Sequence, residues 1–294
     1  MQELFMIKDD FLAVQVHHAG AELASIKDAK DDTEYLWQGD ARFWNRRAPA
    51  LFPIVGAVKN KQYLFEGKSY SLPQHGFARD RIFDTEEEKQ DRLVFTLRED
   101  DASLINYPFH FILKIEYLLN KNRLTVGYRV INADEKTIWF SIGAHPGFNC
   151  PFIPGTHTKD YFLEFDSEEE PLLYKGENGI ISTGEPVSLE KGKILRLNPD
   201  PFQSETIIIK NPRSSSVSMK HPQGGKSITV EYPGFPWLAL WKGVPEAPYV
   251  CIEPWYGIAD FKNASGNLTE KEGVLPLEPG AEFSCKHAII IDSI

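Results

Sequence analysis

The hydrophobic residues of this chain alternate with polar residues over many short stretches, which is the pattern of β-strands with one buried face. Residues 109–119 place Phe, Phe, Leu, Ile, Tyr and Leu at every second position, and residues 124–130 repeat the alternation with Leu, Val, Tyr and Val. Residues 120–123, Asn-Lys-Asn-Arg, separate the two runs and predict a hairpin. Residues 93–97 and 228–232 alternate in the same way, so the pattern predicts mainly strands.

Three further stretches, residues 205–212, 249–255 and 288–294, carry short continuous apolar runs. Such runs are typical of strands that are buried on both faces. Helical periodicity is scarce, and only residues 40–49 suggest a short turn of helix. The 21 glycines and 20 prolines are spread along the chain, which favours many strands joined by long loops.

We therefore predict an all-β fold in which two large antiparallel sheets pack face to face. A length of 294 residues lies within the range of single all-β domains. Because the sequence contains no low-complexity linker and no evident internal repeat, we expect one domain over residues 1–294. Residues 152–200 are acidic and rich in loop-forming residues, and we interpret them as an insertion or as irregular strands.

Charge and cysteine content exclude several classes of protein. The net charge is −10 and the isoelectric point about 5.4, so the basic surface of a nucleic-acid-binding protein is missing. The odd number of cysteines, Cys150, Cys251 and Cys285, argues against a disulfide framework and for a reducing compartment. Because no Cys-x-x-Cys sequence is present, a zinc knuckle is disfavoured as well. The sequence has no secretory signal and no apolar run of membrane-spanning length. We expect a cytoplasmic monomer or homodimer without a nucleic-acid or membrane partner.

Four stretches place polar residues inside apolar segments marked by glycine and proline, where functional loops concentrate. They are "RRAPALFPIVGAV" at residues 46–58, "LPQHGFARDRIF" at 72–83, "SIGAHPGFNCP" at 141–151 and "CIEPWYGIAD" at 251–260.

His75 and His145 each have a structural and a chemical interpretation. Either histidine can occupy a tight turn beside glycine or proline without any further role. For His145, Gly143 and Gly147 permit close approach of other groups to the backbone, and the apolar neighbours predict a desolvated ring. A desolvated imidazole stays neutral near pH 7, where it can serve as a general acid or base.

Glu253 is the strongest single candidate, because it stands inside the apolar sequence "VCIEPWYG". Carboxylates are almost never fully buried without a partner. The residue is therefore either hydrogen-bonded for a structural purpose or a working base, and the sequence leaves both interpretations open.

Aromatic and cationic residues accompany these candidates. The aromatic residues in or near the four stretches are Phe77, Phe148, Trp241, Trp255 and Tyr256. Aromatic faces suit the C–H faces of a sugar ring, although ordinary core packing is the alternative for most of them. The nearby cations are Arg46, Arg47, Arg79 and Arg81. They either pair with acids such as Asp80 and Asp84 or together bind an anionic substrate group.

The motifs "LFPIVG", "HGFAR", "GAHPGF" and "IEPWYG", in this order across the chain, resemble those of the galactose mutarotase-like family of aldose 1-epimerases, and most closely its LacX-type branch. The resemblance implies a β-supersandwich with the sugar site in a cleft on one sheet face. It also implies the interconversion of the α and β anomers of an aldose, without a metal or an organic cofactor.

By the same resemblance, Glu253 is the base that takes the proton from the C1 hydroxyl, and His145 is the acid that protonates the ring oxygen O5. We expect the two groups on opposite sides of the sugar ring, with His75 hydrogen-bonding near O5. The opened sugar rotates about C1–C2 and recloses with the two roles reversed. Phe148 and Trp255 are expected to contact the sugar.

The chain departs from the classical members of the family at one motif. Their Asn-Arg-Ile sequence is replaced here by "GAVKNKQY", in which Lys61 takes the arginine position. Arg79, together with Arg46 or its neighbour Arg47, instead resembles arginines that help to bind phosphate in the hexose-6-phosphate branch. A hexose-6-phosphate mutarotase is therefore an alternative, and the sequence assigns no substrate-binding aspartate.

Two alternatives come from other functional classes. A non-catalytic sugar-binding protein would use the same cleft without turnover. His75, His145 and Glu253 would also form a two-histidine, one-carboxylate metal site. A glycosidase is disfavoured, because it normally needs two opposed carboxylates and only Glu253 has a suitable setting. The sequence does not specify the sugar.

Overall fold

The computed structural model describes residues 3–177 and 179–292. Within them the chain forms twenty-four strands, one short α-helix and four 3-10 turns. The strands are β1 (Leu4–Lys8), β2 (Leu12–His17), β3 (Leu23–Asp28), β4 (Ala50–Leu51), β5 (Gln62–Phe65), β6 (Lys68–Ser71), β7 (Asp84–Glu88), β8 (Arg92–Arg98), β9 (Phe111–Asn120), β10 (Arg123–Asn132), β11 (Ile138–Phe140), β12 (Ile142–Ala144), β13 (Gly147–Asn149), β14 (Phe162–Phe165), β15 (Leu172–Glu177), β16 (Ile180–Pro186), β17 (Ile194–Arg196), β18 (Thr206–Lys210), β19 (Ser216–Lys220), β20 (Ser227–Glu231), β21 (Trp237–Trp241), β22 (Tyr249–Tyr256), β23 (Leu275–Leu277) and β24 (Glu282–Asp292). The helix is α1 (Asp101–Asn106), and the 3-10 turns are Lys59–Lys61, Ala78–Asp80, Thr158–Asp160 and Leu268–Glu270.

Two large sheets contain most of these strands. A nine-stranded sheet runs in the order β17-β14-β19-β20-β24-β10-β9-β8-β7. An eight-stranded sheet runs in the order β16-β15-β18-β21-β22-β12-β4, and β13 also pairs with β22. Neighbouring strands in both sheets are antiparallel. Three smaller sheets, β1-β2-β3, β5-β6 and β11-β23, complete the fold.

The main hydrophobic core lies between the two large sheets. Strand alternation supplies it from both sides: Leu113 and Ile115 of β9 point inward, and so do Leu238 and Leu240 of β21. All four side chains are fully buried. The predicted all-β fold with large antiparallel sheets packed face to face is confirmed.

Individual strand predictions are also confirmed. The hairpin predicted at residues 120–123 joins β9 to β10, with Lys121 in the left-handed conformation at φ 55°. The stretches predicted as strands buried on both faces form β18, β22 and the last part of β24. The end of that last prediction, residues 293 and 294, lies outside the described residues. Residues 152–200 contain β14 to β17 at the edges of the two large sheets, as expected for irregular strands.

Of the short helical turn predicted at residues 40–49, the structure has a single hydrogen-bonded turn at residues 40–44, and no longer helix forms there. That segment forms a hydrogen-bonded turn, in which Phe43 N–H and Trp44 N–H both donate to the carbonyl of Asp40. The α-helix lies elsewhere, at α1, where Asp100 and Ser103 form a reciprocal capping box. Among the described residues, no helix is long and apolar enough to cross a membrane.

Candidate functional site

A cleft opens on the outer face of the eight-stranded sheet, on the side away from the main core. Its volume is about 310 Å³, at the lower end of the range for small-molecule sites. The cleft is lined by residues from the sheet and from the loops above it: Trp44, Gly56, Gln74, His75, Arg79, His145, Tyr174, Gly176, Gly179, Ile180, Ile181, Thr206, Ile208, Trp241, Glu253, Trp255 and Ala259. Three of the four stretches selected from the sequence therefore supply its reactive side chains.

Strand register places His145 opposite Glu253. On one side of this position Gly143 pairs with Trp255, and on the other Gly147 pairs with Cys251. The chain between β12 and β13 keeps the same register across Pro146, so position 145 faces position 253 on β22. Directly opposite residues of antiparallel strands bring their side chains together on one face, and here that face is the cleft.

The His145–Glu253 pair is close and almost fully desolvated. His145 Nε2 lies 3.2 Å from Glu253 Oε2, and the two residues are 7% and 0% exposed. Both carboxylate oxygens and His145 Nδ1 are buried without a well-aligned hydrogen bond from the described part of the chain. Buried polar groups are normally satisfied, so these atoms are available to a ligand in the cleft.

Burial governs the protonation of the pair. Desolvation is the main reason why the pKa of His145 is lowered to about 3, and the positive charges of Arg79 and Arg46 contribute to this shift. Desolvation also raises the pKa of Glu253 well above its usual range, and the Trp255 indole opposes only part of that rise. Both effects favour the uncharged forms, because a charged group loses its hydration when it is buried.

The backbone of Gly56 fixes the tautomer of His75. Gly56 N–H donates to His75 Nδ1 at 3.1 Å, and His75 N–H donates to the Gly56 carbonyl at 2.7 Å. Since Nδ1 accepts a hydrogen bond, the ring proton of the neutral imidazole sits on Nε2, which lies 3.3 Å from the side-chain amide nitrogen of Gln74. Desolvation lowers the pKa of His75 well below its usual value. The residue also has a positive φ of 66°, a strained conformation that is common at functional sites.

Aromatic rings surround His145. Trp44 stacks on its imidazole with ring centroids 4.9 Å apart, Trp241 approaches edge-on at 5.6 Å, and the His75 ring lies at 5.5 Å. Trp255 covers the adjacent backbone so closely that a Cβ on Gly143 would lie 2.7 Å from its ring. Gly143 is therefore required for this packing, and Trp44, Trp241 and Trp255 line the cleft beside the His145–Glu253 pair.

Arg79 lines the cleft, and Arg46 lies behind it. Arg79 Nη2 donates to the Gln74 carbonyl at 2.7 Å. Arg46 forms an ion pair with Asp80 and donates to the Arg79 carbonyl at 3.4 Å. Arg47 contributes instead through its backbone N–H, which donates to Glu22. Of the two neighbours that the sequence left open, Arg46 is thus the one beside Arg79.

The structure does not bring Phe148 into the cleft. Phe148 lies in the main core and is fully buried, because it follows Gly147 on β13 and therefore points to the opposite face of the sheet. The expectation that its ring contacts a sugar is corrected accordingly. The six other selected site residues lie at or directly behind the cleft: His75, His145, Glu253, Arg46, Arg79 and Trp255.

The structure does not group His75 with His145 and Glu253 as the expected metal ligands. His145, Cys251 and Glu253 each offer one ligand atom, and these atoms lie within 4.8 Å of one another. His75 is not a member of this group. The two-histidine, one-carboxylate arrangement is therefore replaced by a histidine, a thiol and a carboxyl group.

A second cavity, of about 290 Å³, lies beside the loop at residues 260–272. Its buried charges, Lys271 and Asp260, neutralise each other, since Lys271 Nζ donates to Asp260 Oδ1 at 2.9 Å. Desolvation lowers the pKa of Lys271. Because these groups are satisfied, reactive chemistry is better assigned to the cleft that contains His145 and Glu253.

Comparison with known proteins identifies the family of this chain. The sequence model of the aldose 1-epimerase family matches residues 3–288. The chain belongs to the aldose 1-epimerase family. It is 34% identical over 282 residues to protein LacX, in its plasmid form, from Lactococcus lactis subsp. lactis, with 93% of this chain and 94% of that protein covered.

Solved structures show the same fold. A galactose mutarotase related enzyme from Lactobacillus acidophilus superposes with a TM-score of 0.93 at 31% identity, covering 99% of this chain and 98% of that chain. A galactose mutarotase-like protein from Lactobacillus casei ATCC 334 superposes with a TM-score of 0.90 at 30% identity, covering 99% and 100%. The prediction of a galactose mutarotase-like supersandwich is therefore confirmed.

Several cleft residues of this aldose 1-epimerase family member were not selected as site residues from its sequence. They are Trp44, Gln74, Tyr174, Thr206, Ile208 and Trp241. Trp44 lies in the segment for which the sequence predicts one short turn of helix. Trp241 is recognisable from the sequence only as an aromatic residue near the candidate stretches. Thr206 pairs with Trp241 across β18 and β21, a contact that local sequence spacing does not reveal. Gln74 directly precedes His75, and this position beside a candidate histidine is the one sequence signal that points to Gln74 as a cleft residue.

Proposed function

We propose that this protein is an aldose 1-epimerase that interconverts the α and β anomers of an aldose. Glu253 and His145 exchange protons with the C1 hydroxyl and the ring oxygen O5. Transfer of the hydroxyl proton to the base and of a proton to O5 breaks the C1–O5 bond. Rotation about C1–C2 and closure in the reverse sense then give the other anomer.

The observation that carries this proposal is the desolvated His145–Glu253 pair, whose atoms lie 3.2 Å apart at the bottom of the cleft. The two groups lie side by side, and we propose that they act from one side of the sugar ring and not from opposite sides. Adjacent groups are suitable for the reaction, because O1 and O5 are bonded to the same carbon. One proton donor and one acceptor on a single wall can therefore reach both atoms.

His145 and Glu253 need to share only one exchangeable proton to perform this reaction. A neutral imidazole with a protonated carboxyl group holds the same number of protons as an imidazolium with a carboxylate. Burial favours the uncharged arrangement in the free protein. The reaction uses an acid in one direction and a base in the other, so each group is expected to act in both roles.

His75 and the tryptophans are proposed to orient the sugar. With Nδ1 occupied by Gly56 N–H, His75 presents its Nε2 proton as a hydrogen-bond donor toward O5. Trp44, Trp241 and Trp255 line the cleft, and their faces match the C–H faces of a pyranose.

A hexose-6-phosphate substrate is the second candidate, and the specific observation in its favour is the position of Arg79 in the cleft wall, with Arg46 next to it. Asp80 offsets part of this positive charge through its ion pair with Arg46. The remaining charge suits an anionic group. A non-catalytic sugar-binding role uses the same cleft and differs only in the absence of turnover.

The experiment is a measurement of anomer exchange by NMR for glucose, galactose and their 6-phosphates, with wild-type protein and Arg79→Met. We expect at least one sugar to exchange faster than its spontaneous rate. If the substrate is phosphorylated, Arg79→Met raises its KM at least about tenfold and leaves neutral sugars nearly unchanged. Saturable binding of these sugars without faster exchange would support the non-catalytic role instead.

A further inference from the structure

Cys251 has no part in the proposed proton transfer, yet it lies beside the two residues that do. Cys251 shares one face of strand β22 with Glu253 and Trp255, and the alternate residues Val250 and Ile252 belong to the main core. Glu253 and Trp255 line the cleft, whereas Cys251 lies beside it, packed with Trp37 and Tyr249 in a small buried cluster. Cys251 lies two residues before Glu253 on the strand, and its thiol is therefore on the same face of the sheet. Its ligand atom, a ring nitrogen of His145 and a carboxylate oxygen of Glu253 are within 4.8 Å of one another.

These three donors are buried and largely unsatisfied. Cys251 and Glu253 are fully buried, and His145 is 7% exposed. Both Glu253 oxygens and His145 Nδ1 lack a hydrogen bond of good geometry in residues 3–177 and 179–292. Leaving buried polar atoms unpaired destabilises the fold, and a bound cation would satisfy several of them at once.

The chemistry of the donor set selects a borderline-soft divalent ion. A thiolate, an imidazole and a carboxylate are the ligand types of zinc sites, with bonds of about 2.3, 2.0 and 2.1 Å to sulfur, nitrogen and oxygen. Magnesium and calcium prefer oxygen ligands alone. Donor atoms held by a tetrahedral zinc ion lie closer together than 4.8 Å, so modest rotamer adjustments would close the site.

We propose that His145, Cys251 and Glu253 form a buried Zn²⁺ site beside the cleft, and that Zn²⁺ bound there inhibits the protein. The ion takes a thiolate, a neutral imidazole and a carboxylate, and it releases the thiol proton and the proton held by the His145–Glu253 pair. Two of the three ligands, His145 and Glu253, line the cleft, so an ion can reach the site from there. Inhibition, though not binding, rests on the proposed function, since the ion occupies the proposed acid and base.

Cobalt binding tests the site without any assay of turnover. Titration of the purified metal-free protein with Co²⁺ is expected to give a thiolate-to-cobalt charge-transfer band at one ion per chain, and one equivalent of Zn²⁺ is expected to abolish it. Cys251→Ser should remove the band and weaken Zn²⁺ binding at least about tenfold, because it loses the softest ligand. The matched control is Cys285→Ser, a half-buried cysteine on β24 of the other large sheet, which should keep both signals.

The outcomes separate this proposal from the proposed function. If Zn²⁺ slows anomer exchange, a chelator restores it, and Cys251→Ser resists the inhibition, both proposals are supported. A charge-transfer band that depends on Cys251 in a protein without anomer exchange supports the metal site and contradicts the epimerase. Absence of the band in wild-type protein, or its persistence in Cys251→Ser, would overturn the metal site and leave the epimerase proposal intact.

Discussion

His145 and His287 are alike in burial but differ in what surrounds them. They are 7% and 3% exposed, and each has a buried Nδ1 atom without a hydrogen-bond partner in the described part of the chain. Each stacks on an aromatic ring, Trp44 for His145 and Tyr128 for His287. Desolvation lowers the pKa of both to about 3.

The surroundings assign different roles to the two residues. His145 lies 3.2 Å from a buried carboxyl group and opens onto a cleft. His287 lies on β24 and packs against Tyr128 and Phe235 in the main core. A perturbed pKa thus does not identify a catalytic residue by itself. A partner that can exchange a proton and access for a substrate are also required.

The largest expected effect separates the two histidines by activity. His145→Leu should slow anomer exchange by about 10²–10⁴-fold, the usual contribution of a positioned acid or base. His287→Leu removes the same ring from the core and should keep the exchange rate within about twofold, because no reacting atom is near it. NMR exchange rates of both variants, with folding checked by circular dichroism, test this difference. Equal losses in the two variants would contradict the assignment.

The same two variants should behave alike in their response to acid. Each histidine has a folded-state pKa of about 3 against 6.5 in the unfolded chain. The unfolded state therefore binds the extra proton, and the free energy of unfolding decreases as the pH falls from 6.5 toward 3. Each substitution should reduce this slope by up to about 1.4 kcal/mol per pH unit. Denaturant unfolding at pH 7, 6 and 5 gives the slopes, and an unchanged slope in either variant would contradict burial as a neutral ring.

The free energy of unfolding depends on pH in the opposite sense through Glu253. Its folded-state pKa lies well above the usual value of 4.5, so the unfolded chain loses its proton first as the pH rises. The folded state is penalised increasingly above pH 4.5, until the pH passes the raised pKa. Glu253→Gln removes this penalty, and its melting temperature should exceed that of wild type by more at pH 8 than at pH 5. A constant or shrinking difference would indicate that Glu253 is stably ionised in the fold.

The smallest expected effect concerns the aromatic partner of His145. Trp44→Leu removes the ring that stacks on the imidazole at 4.9 Å and one wall of the cleft. We expect KM to increase roughly two- to tenfold, as for the loss of about 0.5–1.5 kcal/mol of aromatic contact. Tyr128→Leu removes the corresponding ring beside His287 and should leave KM unchanged. Steady-state kinetics on the preferred sugar checks both variants.

Much of the fold follows from local sequence. Alternation over residues 109–130 was sufficient to predict the hairpin of β9 and β10, because strand periodicity and turn chemistry are local properties. Helix α1 was not predicted, since it is only six residues long and its capping box is a weak signal. The turn at residues 40–49 depends on where Trp44 packs, which is a tertiary contact.

The sequence predicts the identity of several site residues but not their arrangement, because the arrangement depends on tertiary contacts. His75, His145 and Glu253 stand in distinctive segments, and the resemblance to a family suggested their roles. Their side-by-side arrangement depends on the register between β12, β13 and β22, which joins residues about one hundred positions apart. Phe148 was misplaced because the sequence does not state which face of β13 is the cleft. Cys251 was passed over because its significance appears only when His145 lies across from Glu253.

The most direct test of the central claim is the anomer exchange rate of Glu253→Gln, measured by NMR at pH 7 beside wild type on whichever sugar of the panel the wild type accelerates. If the His145–Glu253 pair moves the protons, the variant loses at least about 10²-fold of the acceleration while it still binds the sugar. A variant that exchanges anomers at the wild-type rate would contradict the account, because a glutamine at position 253 can neither take nor give the proton.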